Sequence, residues 1–235
     1  MNKTIIVTIH GILTNIDESD SWQAAFRLWL NKAYSNEVAD GTLVQLPFSY
    51  GMIGPIWAFI LNTMAWAGLA RFVSPFATRR FKKFLQETAK NYPEYEIHIV
   101  AHSFGTWVTQ ESLEEVAGRT DVCIKSLHLF GAVISAHIQR NYLDEFLMSK
   151  QLGYCVVWSS HNDTVVRYLA VPPFGHAGYW GIIRDYHPED RTKPIWQPYD
   201  YLQLYNRTTE AAHDGSLVVQ NFPTIMGDIL NGPKA

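Results

Sequence analysis

Short apolar, β-branched runs alternate with longer stretches of helical periodicity along most of this chain. The runs that predict strands are residues 4–9, 43–48, 97–101, 124–133, 154–159 and 201–206. The stretches that predict helices are residues 22–33, 74–91, 106–116, 138–148 and 217–230. Strands that alternate with helices usually form a parallel sheet whose two faces are both covered by helices. The pattern therefore predicts an α/β fold with a mostly parallel central sheet and helices on both of its faces.

The length of the chain favours one domain over several. A chain of 235 residues, 47% of them hydrophobic, is long enough to bury one full-sized core. We therefore interpret residues 1–235 as a single domain. Two segments interrupt the alternation: an apolar insertion at about 52–72 and a long loop at about 172–198, rich in glycine, proline and aromatic residues. A loop of that length is more often functional than a linker.

The charge and the N-terminal sequence narrow the cellular setting. A net charge of −3 gives no reason to expect nucleic acid as a partner. The N-terminal apolar run is too short for a signal peptide, which favours a cytoplasmic protein. Cys123 and Cys155 both lie in apolar runs, and two cysteines are no framework for an oxidising compartment, although a disulfide between neighbouring strands stays open.

No spacing of histidine, cysteine and aspartate in the sequence is typical of a metal site, so we expect no metal ion. His98 and His128 lie inside predicted strands. We interpret both as core or surface histidines with satisfied hydrogen bonds rather than as ligands.

A serine lies at the junction of a predicted strand and a predicted helix. Ser103, in the sequence AHSFG, has Ala101 two positions before it and Gly105 two positions after it. An abrupt strand-to-helix turn exposes its central serine, and it needs small residues at these positions because the two backbones come close. Ser103 is therefore a candidate nucleophile, and the alternative is an ordinary N-cap serine.

A nucleophilic serine needs a base, and several histidines compete for this role. His213 lies between the last predicted strand and the last predicted helix, whereas His176 and His187 fall in the long loop. His102 adjoins Ser103, but adjacent residues at such a turn point in different directions. We therefore predict His213 as the base that accepts the serine proton.

The base in turn needs a carboxylate that fixes its tautomer and stabilises the imidazolium. Asp163 directly follows the predicted strand 154–159, at the end where sites of this type lie. Asp214 adjoins His213 and is excluded by geometry. Asp163 is the favoured acid, and the other candidates between the serine and the histidine are Asp144, Asp185, Asp190 and Asp200.

The remaining requirement is a pair of backbone N–H groups that stabilise the oxyanion. The residue after the serine supplies one of them, which is the amide of Phe104. The sequence IHGIL, directly after the first strand, would supply the amide of Ile12, since the glycine allows a close approach. The alternative is that this His-Gly pair simply ends the strand.

The insertion at 52–72 has two interpretations. Residues 41–70 include no charged residue and no histidine, but a membrane-spanning helix is disfavoured because the run lies between an early strand and the serine turn. The run is either a buried part of the core or an apolar cap whose Trp57, Met64 and Trp66 bind an acyl chain. A basic cluster follows it: Arg71, Arg79, Arg80, Lys82 and Lys83.

Basic residues beside an apolar segment are typical of a surface that contacts anionic lipid, and a solvated helix face has the same composition. The sequence therefore leaves both peripheral membrane contact and a merely solvated face open.

Four sequences together resemble the α/β-hydrolase superfamily, and within it the small serine lipases and esterases: TIHGILTN, IVAHSFGTWV, VVWSSHNDTVV and AAHDGSLVV. The resemblance implies the α/β-hydrolase fold and a serine carboxylic-ester hydrolase that forms an acyl-enzyme on a small acyl ester or lipid. It implies Ser103 as nucleophile, Asp163 as acid and His213 as base, with the amides of Ile12 and Phe104 as oxyanion donors. It implies no cofactor.

Several functions use the same side chains. A thioesterase, an amidase or an acyltransferase would carry the same triad, and a catalytically silent binding protein could keep the fold. The sequence does not determine the acyl-chain length, the leaving group or the oligomeric state.

Overall fold

The structure is a computed structural model, and it describes residues 2–11, 21–49, 63–116, 122–137, 143–169, 174–182, 204–213 and 215–233. Within these ranges, one sheet is built from β1 (Thr4–Ile9), β2 (Leu43–Phe48), β3 (Glu96–His102), β4 (Ile124–Phe130), β5 (Leu152–Ser159) and β6 (Leu204–Thr208). The strand order is β2-β1-β3-β4-β5-β6, and every neighbouring pair is parallel. The predicted parallel sheet is confirmed.

Nine helices lie in the described ranges, and the longest connects β2 to β3. They are α1 (Trp22–Ala33), α2 (Ser35–Ala39), α3 (Thr63–Asn91), α4 (Phe104–Val116), α5 (Leu143–Met148), α6 (Thr164–Leu169), α7 (Ala177–Trp180), α8 (Ser216–Val219) and α9 (Phe222–Asn231). No helix in this described part of the chain is both long enough and apolar enough to cross a membrane.

Helices cover both faces of the sheet, as the sequence predicts. On one face, α3 and α4 pack against the strands through buried side chains such as Phe81, Leu85 and Val108. On the other face, α1 and α9 contribute Phe26 and Ile225 to a second buried cluster. Because both faces are covered, the four inner strands β1, β3, β4 and β5 bury side chains on both of their sides.

The ends of several helices differ from the predicted ones. Helix α3 begins at Thr63 rather than at residue 74 and contains Pro75 in its interior. The helix predicted at 217–230 is divided into α8 and α9, and Pro223 lies in the first turn of α9, where its missing N–H costs no hydrogen bond. The Ser21 hydroxyl accepts a hydrogen bond of 3.2 Å from the Ala24 amide, so Ser21 is the N-cap of α1.

The segment predicted as a long loop at 172–198 is not irregular throughout. Its described part contains α7, in which Ala177 and Tyr179 are buried. The backbone of this segment donates hydrogen bonds to the segment after β4, including one of 2.7 Å from the Gly178 amide to the Ala132 carbonyl. The periodicity analysis missed α7 because one helical turn is too short to show a repeat.

The two cysteines are both free in this structure. Cys123 is exposed, and Cys155 is buried in β5. Burial raises the pKa of the Cys155 thiol, which keeps the thiol protonated. The disulfide that the sequence left open does not form.

Two histidines are buried in the centre of the sheet. His98 Nδ1 and Ser126 Oγ share a hydrogen bond of 2.7 Å across β3 and β4. Neither ring nitrogen of His128 has a hydrogen-bond partner among the described residues. The prediction of a satisfied histidine is therefore wrong for His128. Burial is the main reason why the pKa of each ring is lowered to about 3, and both rings are therefore neutral.

These histidines make the stability depend on pH. Their folded pKa lies below the unfolded value of about 6.5, so the unfolded chain binds more protons between these two values. The contribution of each histidine to stability is therefore fully present above the unfolded pKa, and it is lost as the pH falls toward the folded pKa. We expect the free energy of unfolding to fall between pH 7 and pH 5 by about 2 kcal/mol for each histidine.

Urea unfolding of the wild type and of His128→Leu at the two pH values measures this effect. Between pH 7 and pH 5, the variant should lose about 2 kcal/mol less stability than the wild type. If the free energy of unfolding fell by the same amount in the variant as in the wild type, the assignment to His128 would be contradicted.

Candidate active site

Ser103 alone forms the turn between β3 and α4, and its backbone is strained. Its φ of +54° lies in the left-handed region, which costs a non-glycine residue about 1 kcal/mol. Hydrogen bonds hold it there: the Ser103 amide donates to the Phe130 carbonyl at 2.9 Å, and the Thr106 hydroxyl donates to the Ser103 carbonyl at 2.6 Å. The side chain is therefore presented at the carboxyl edge of the sheet.

The small residues around the serine allow close backbone contacts. A Cβ atom on Gly105 would lie 2.7 Å from the His10 carbonyl oxygen, so only glycine fits without movement. A Cβ atom on Gly11 would lie 3.0 Å from Ser103 Cβ and 3.3 Å from its Oγ. The segment after β1 thus lies directly against Ser103, where the sequence predicts an oxyanion donor.

The His10 ring holds this segment in place. Its Nδ1 donates a hydrogen bond to the Gly11 carbonyl, and its Nε2 lies 3.1 Å from Ser49 Oγ. Burial lowers the pKa of His10, although the hydrogen bond to Gly11 opposes this shift. A neutral ring is therefore built into the turn beside Ser103.

The structure brings Ser103, His213 and Asp163 together although they lie far apart in the sequence. The Ser103 hydroxyl oxygen lies 2.8 Å from His213 Nε2, and His213 Nδ1 lies 2.7 Å from Asp163 Oδ2. With its hydrogen on Nδ1, the neutral ring donates to Asp163 and accepts from Ser103. The His213 side chain is 14% exposed and Asp163 is fully buried.

The position of Asp163 is determined by the turn after β5. Its Oδ1 accepts a hydrogen bond of 2.8 Å from the Val166 amide, in the first turn of α6. A carboxylate at a helix N-terminus is stabilised by the helix dipole. Each carboxylate oxygen therefore has a hydrogen-bond donor, and Oδ2 is directed at His213.

Two side chains connect the turn after β5 to the segment that precedes His213. The Ser160 hydroxyl donates to the Ala211 carbonyl at 2.6 Å, and the Asn162 side-chain amide donates to the Glu210 carbonyl at 2.7 Å. These bonds hold the backbone of the acid and the backbone of the histidine at a constant separation.

Gly131 leaves the space that the histidine and the aspartate occupy. It has a φ of +52°, and a Cβ atom there would lie 2.9 Å from His213 Nδ1 and 3.2 Å from Asp163 Oδ2. The same conformation ends β4 at Phe130, earlier than the predicted end at residue 133. The sequence analysis missed this residue, and a glycine at the carboxyl end of the central strand was the signal that could have found it.

Comparison with known proteins supports the same fold. A family model described as "Alpha/beta hydrolase of unknown function (DUF900)" matches residues 70–165. TT1662 from Thermus thermophilus is similar at 12% identity, with 96% of this chain and 89% of that chain covered and a TM-score of 0.50. The chain has the α/β-hydrolase fold. The resemblance of its sequence to the α/β-hydrolase superfamily is confirmed.

Other solved structures show weaker similarity to this chain. Phospholipase PlaB from Legionella pneumophila is 10% identical, with 68% of this chain and 38% of that chain covered and a TM-score of 0.43. The thioesterase RedJ from Streptomyces coelicolor is 10% identical, with 97% and 86% covered and a TM-score of 0.47. The chain thus spans well under half of the phospholipase. The search of curated proteins gave no significant match.

Two of the competing histidines make other contacts in this structure. His102 Nε2 donates to the His213 carbonyl at 2.7 Å, so its ring positions the backbone of His213. His176 Nδ1 donates to the Val166 carbonyl at 2.7 Å. Asp144 lies in α5, which leads into the amino end of β5, opposite the serine edge. His187, Asp185, Asp190 and Asp200 lie outside the described residues.

Part of the predicted site lies outside the described residues as well. Ile12 and Trp57 are not described, and Met64 and Trp66 are placed only as backbone positions in α3. Phe104 is the first residue of α4, directly after Ser103. The oxyanion role of Ile12 and Phe104 and the substrate contacts of the other three residues stay predictions.

Aromatic side chains lie beside the serine on the α4 side. Phe104 and Trp107 both contact the Phe174 ring, with ring centroids 6.0 and 4.9 Å apart. The Trp107 indole donates a hydrogen bond of 2.9 Å to the Ser74 hydroxyl on α3. The three rings form an apolar cluster near the serine, in which Phe104 is buried and Trp107 and Phe174 are partly exposed. We call this cluster the aromatic wall.

A polar cavity of about 520 Å³ opens at the same edge, at the ends of β5 and β6. The described residues that line it are Ser159, His161, Asn162, Thr208, Thr209 and Glu210. In parallel α/β sheets, ligands bind outside the carboxyl ends of the strands. Among the described residues, no cluster of three or more histidine, cysteine or acidic side chains could hold a metal ion.

Proposed function

We propose that this α/β hydrolase is a serine hydrolase that cleaves carboxylic esters through an acyl-enzyme intermediate. The observation that carries the proposal is the pair of hydrogen bonds that join Ser103 to His213 and His213 to Asp163. The match to a hydrolase family supports hydrolysis in general. The left-handed backbone of Ser103 is further support, because it presents the hydroxyl at the ligand-binding edge.

In the proposed reaction, His213 Nε2 takes the hydroxyl proton as Ser103 Oγ attacks the ester carbonyl. The carbonyl oxygen becomes an oxyanion, which the amides of Phe104 and Ile12 would stabilise; one such donor is typically worth about 3 kcal/mol. His213 then returns the proton to the leaving alcohol, and the acyl group stays on Ser103. A water molecule repeats these steps and releases the acid.

Asp163 has an electrostatic part in this reaction. The ring of His213 becomes positively charged when it takes the serine proton, and the buried carboxylate lies 2.7 Å from Nδ1. Because Asp163 is fully buried, the attraction is screened less than it would be in water. Asp163 therefore stabilises the charged ring and holds the tautomer that accepts the proton.

The aromatic wall supports an apolar acyl group rather than a polar one. Phe104 and Trp107 lie in α4 within about one helical turn of Ser103. The Phe174 ring contacts both of them. Trp57, Met64 and Trp66 are proposed to extend this surface. The substrate class is therefore a small acyl ester or a lipid ester.

Labelling with a fluorophosphonate and a panel of acyl substrates test the proposal together. We expect one phosphonylated serine, in the peptide that contains Ser103, and turnover of esters over amides that share the same acyl group. If Ser103 is labelled but thioesters are turned over faster than esters, the proposed substrate would change from an ester to a thioester. No labelling and no turnover of any acyl substrate would indicate a binding protein that keeps the fold.

A further inference from the structure

The polar cavity at the ends of β5 and β6 has no part in the proposed ester hydrolysis. The described residues that line it include neither Ser103 nor His213. Its volume of about 520 Å³ lies within the range of about 300–1,000 Å³ that is typical of small-molecule sites. The cavity therefore has the size and the position of a second ligand site at the carboxyl edge of the sheet.

Hydrogen bonds between neighbouring segments hold the walls of the cavity in place. The Thr209 amide donates to the Ser159 carbonyl at 2.9 Å, which continues the pairing of β5 and β6 beyond the end of β6. The Asn162 side-chain amide donates to the Glu210 carbonyl at 2.7 Å and joins the turn after β5 to the segment after β6. A ligand would therefore meet a site that is already formed, which lowers the entropic cost of binding.

Several polar groups that line the cavity have no hydrogen bond to a described residue. They are the ring nitrogens of His161, the Oδ1 atom of Asn162, the Thr208 hydroxyl and the Glu210 carboxylate. Together these groups offer both donors and acceptors. A ligand with many hydroxyl groups satisfies such a mixture, because each hydroxyl can donate one hydrogen bond and accept others.

An exposed tryptophan lies beside the cavity. The centroid of the Trp180 ring is 5.9 Å from that of His161, which lines the cavity, and 4.6 Å from that of Tyr179. Tyr179 is buried, whereas Trp180 is 61% exposed. Helix α7 therefore presents one large exposed ring next to the polar groups of the cavity.

The register of β6 places Thr208 on the same side of the sheet as α7. Leu204, Asn206 and Thr208 alternate along β6 and share one face. Leu204 belongs to the same buried cluster as Ile182, and the Asn206 side-chain amide donates to the Ile182 carbonyl at 2.9 Å. Because Ile182 follows α7 by two residues, this face of β6 is the one that α7 covers. One ligand can therefore contact both Thr208 and Trp180.

The charges at the cavity favour a neutral ligand. Among the described lining residues, Glu210 is the one carboxylate, and none is a lysine or an arginine. Arg167 does not line the cavity, and its guanidinium lies 5.3 Å from the centre of the Tyr179 ring. An anionic ligand would thus lie beside Glu210 without a basic side chain to bind it. A quaternary ammonium would match Glu210 and Trp180, but it has no donor or acceptor for Thr208.

We propose that the polar cavity binds a neutral carbohydrate, with the Trp180 ring stacked on the apolar C–H face of a sugar. The sugar hydroxyls bond to Asn162, Thr208 and Glu210. A sugar combines many hydroxyls with such a face, and a tryptophan ring offers a large apolar surface for it. This binding goes beyond the proposed ester hydrolysis and does not depend on it.

An array of neutral mono- and oligosaccharides, probed with the Ser103→Ala protein, tests the proposal without catalysis. We expect binding to some of these sugars, and titration calorimetry then measures the affinity for the strongest binder. In the same background, Trp180→Ala should weaken binding on the order of tenfold. Thr208→Val and Glu210→Gln keep the shape of the side chain, and each should weaken binding about three- to tenfold.

Matched controls make the same kinds of change away from the cavity. Phe76→Ala removes a ring that is 59% exposed on α3, and Glu114→Gln changes an exposed carboxylate near the end of α4. Neither residue lines the cavity, so both controls should bind the sugar as the parent protein does. The melting temperature of every variant should stay unchanged. If Trp180→Ala unfolds, the two shape-conserving variants decide the question.

Three outcomes would overturn the proposal. The first is that no neutral sugar on the array is bound, and the second is that the cavity variants bind as tightly as the controls. The third is binding of tetramethylammonium or of anionic sugars in place of neutral ones. Because binding is measured on Ser103→Ala, a protein that fluorophosphonate does not label can still bind a sugar, and the two proposals fail separately.

Discussion

Ser103→Ala is expected to lower kcat/KM for a short activated ester by about three to six orders of magnitude. The substitution removes the oxygen that lies 2.8 Å from His213 Nε2 and that would bond to the acyl group in the acyl-enzyme. The residual rate would come from the oxyanion donors and from substrate binding. A hydrolysis assay with a p-nitrophenyl ester, together with a circular dichroism melt, measures the effect.

Ser149→Ala is the matched control for this substitution. Ser149 follows α5 near the amino end of β5, at the opposite edge of the sheet, where its hydroxyl donates to the Phe146 carbonyl. This variant should keep the wild-type rate. Full activity in Ser103→Ala, with the protein folded, would end the assignment of the nucleophile.

His213→Ala is expected to lower kcat nearly as much as the loss of the serine, because the ring carries the proton in both directions. Asp163→Asn should cost somewhat less, about four orders of magnitude, because an amide holds the wrong tautomer but leaves the ring in place. In the double variant the losses should not add, since the two side chains act as a unit. Steady-state rates of the three variants measure this.

Two further variants separate this pair from its competitors. Asp144→Asn makes the same chemical change in α5, which leads into the amino end of β5, and His176→Ala removes a ring that donates to the Val166 carbonyl. Both should keep most of the wild-type kcat. If Asp144→Asn removed the activity while Asp163→Asn kept it, the choice of acid would be wrong.

The fold could be predicted from the sequence because its signals are local. Residues 4–9 and 43–48 form strands with the predicted bounds, since short runs of β-branched and apolar residues between turns are typical of a buried parallel strand. Helix α1 also has its predicted bounds. The extension of α3 to Thr63 was missed, because a continuous apolar sequence has no polar face from which to read a helical period.

The candidate site was predictable in its residue types and in their order along the chain. Ser103, Asp163 and His213 each follow a strand, and parallel strands bring their carboxyl ends to one edge. The sequence did not reveal Gly131 or the contact of His102 with the His213 carbonyl. Both act on His213 from distant positions in the chain, and no local pattern records such contacts.

The parallel sheet, the turn at Ser103 and the order of serine, acid and histidine could be read from the sequence, because they follow from periodicity, from small residues and from chain order. Which aspartate lies beside His213 and which histidine lies beside Ser103 became clear from the folded chain. These choices depend on packing between elements far apart in the chain, where burial and hydrogen-bond geometry select one arrangement among several that the sequence allows.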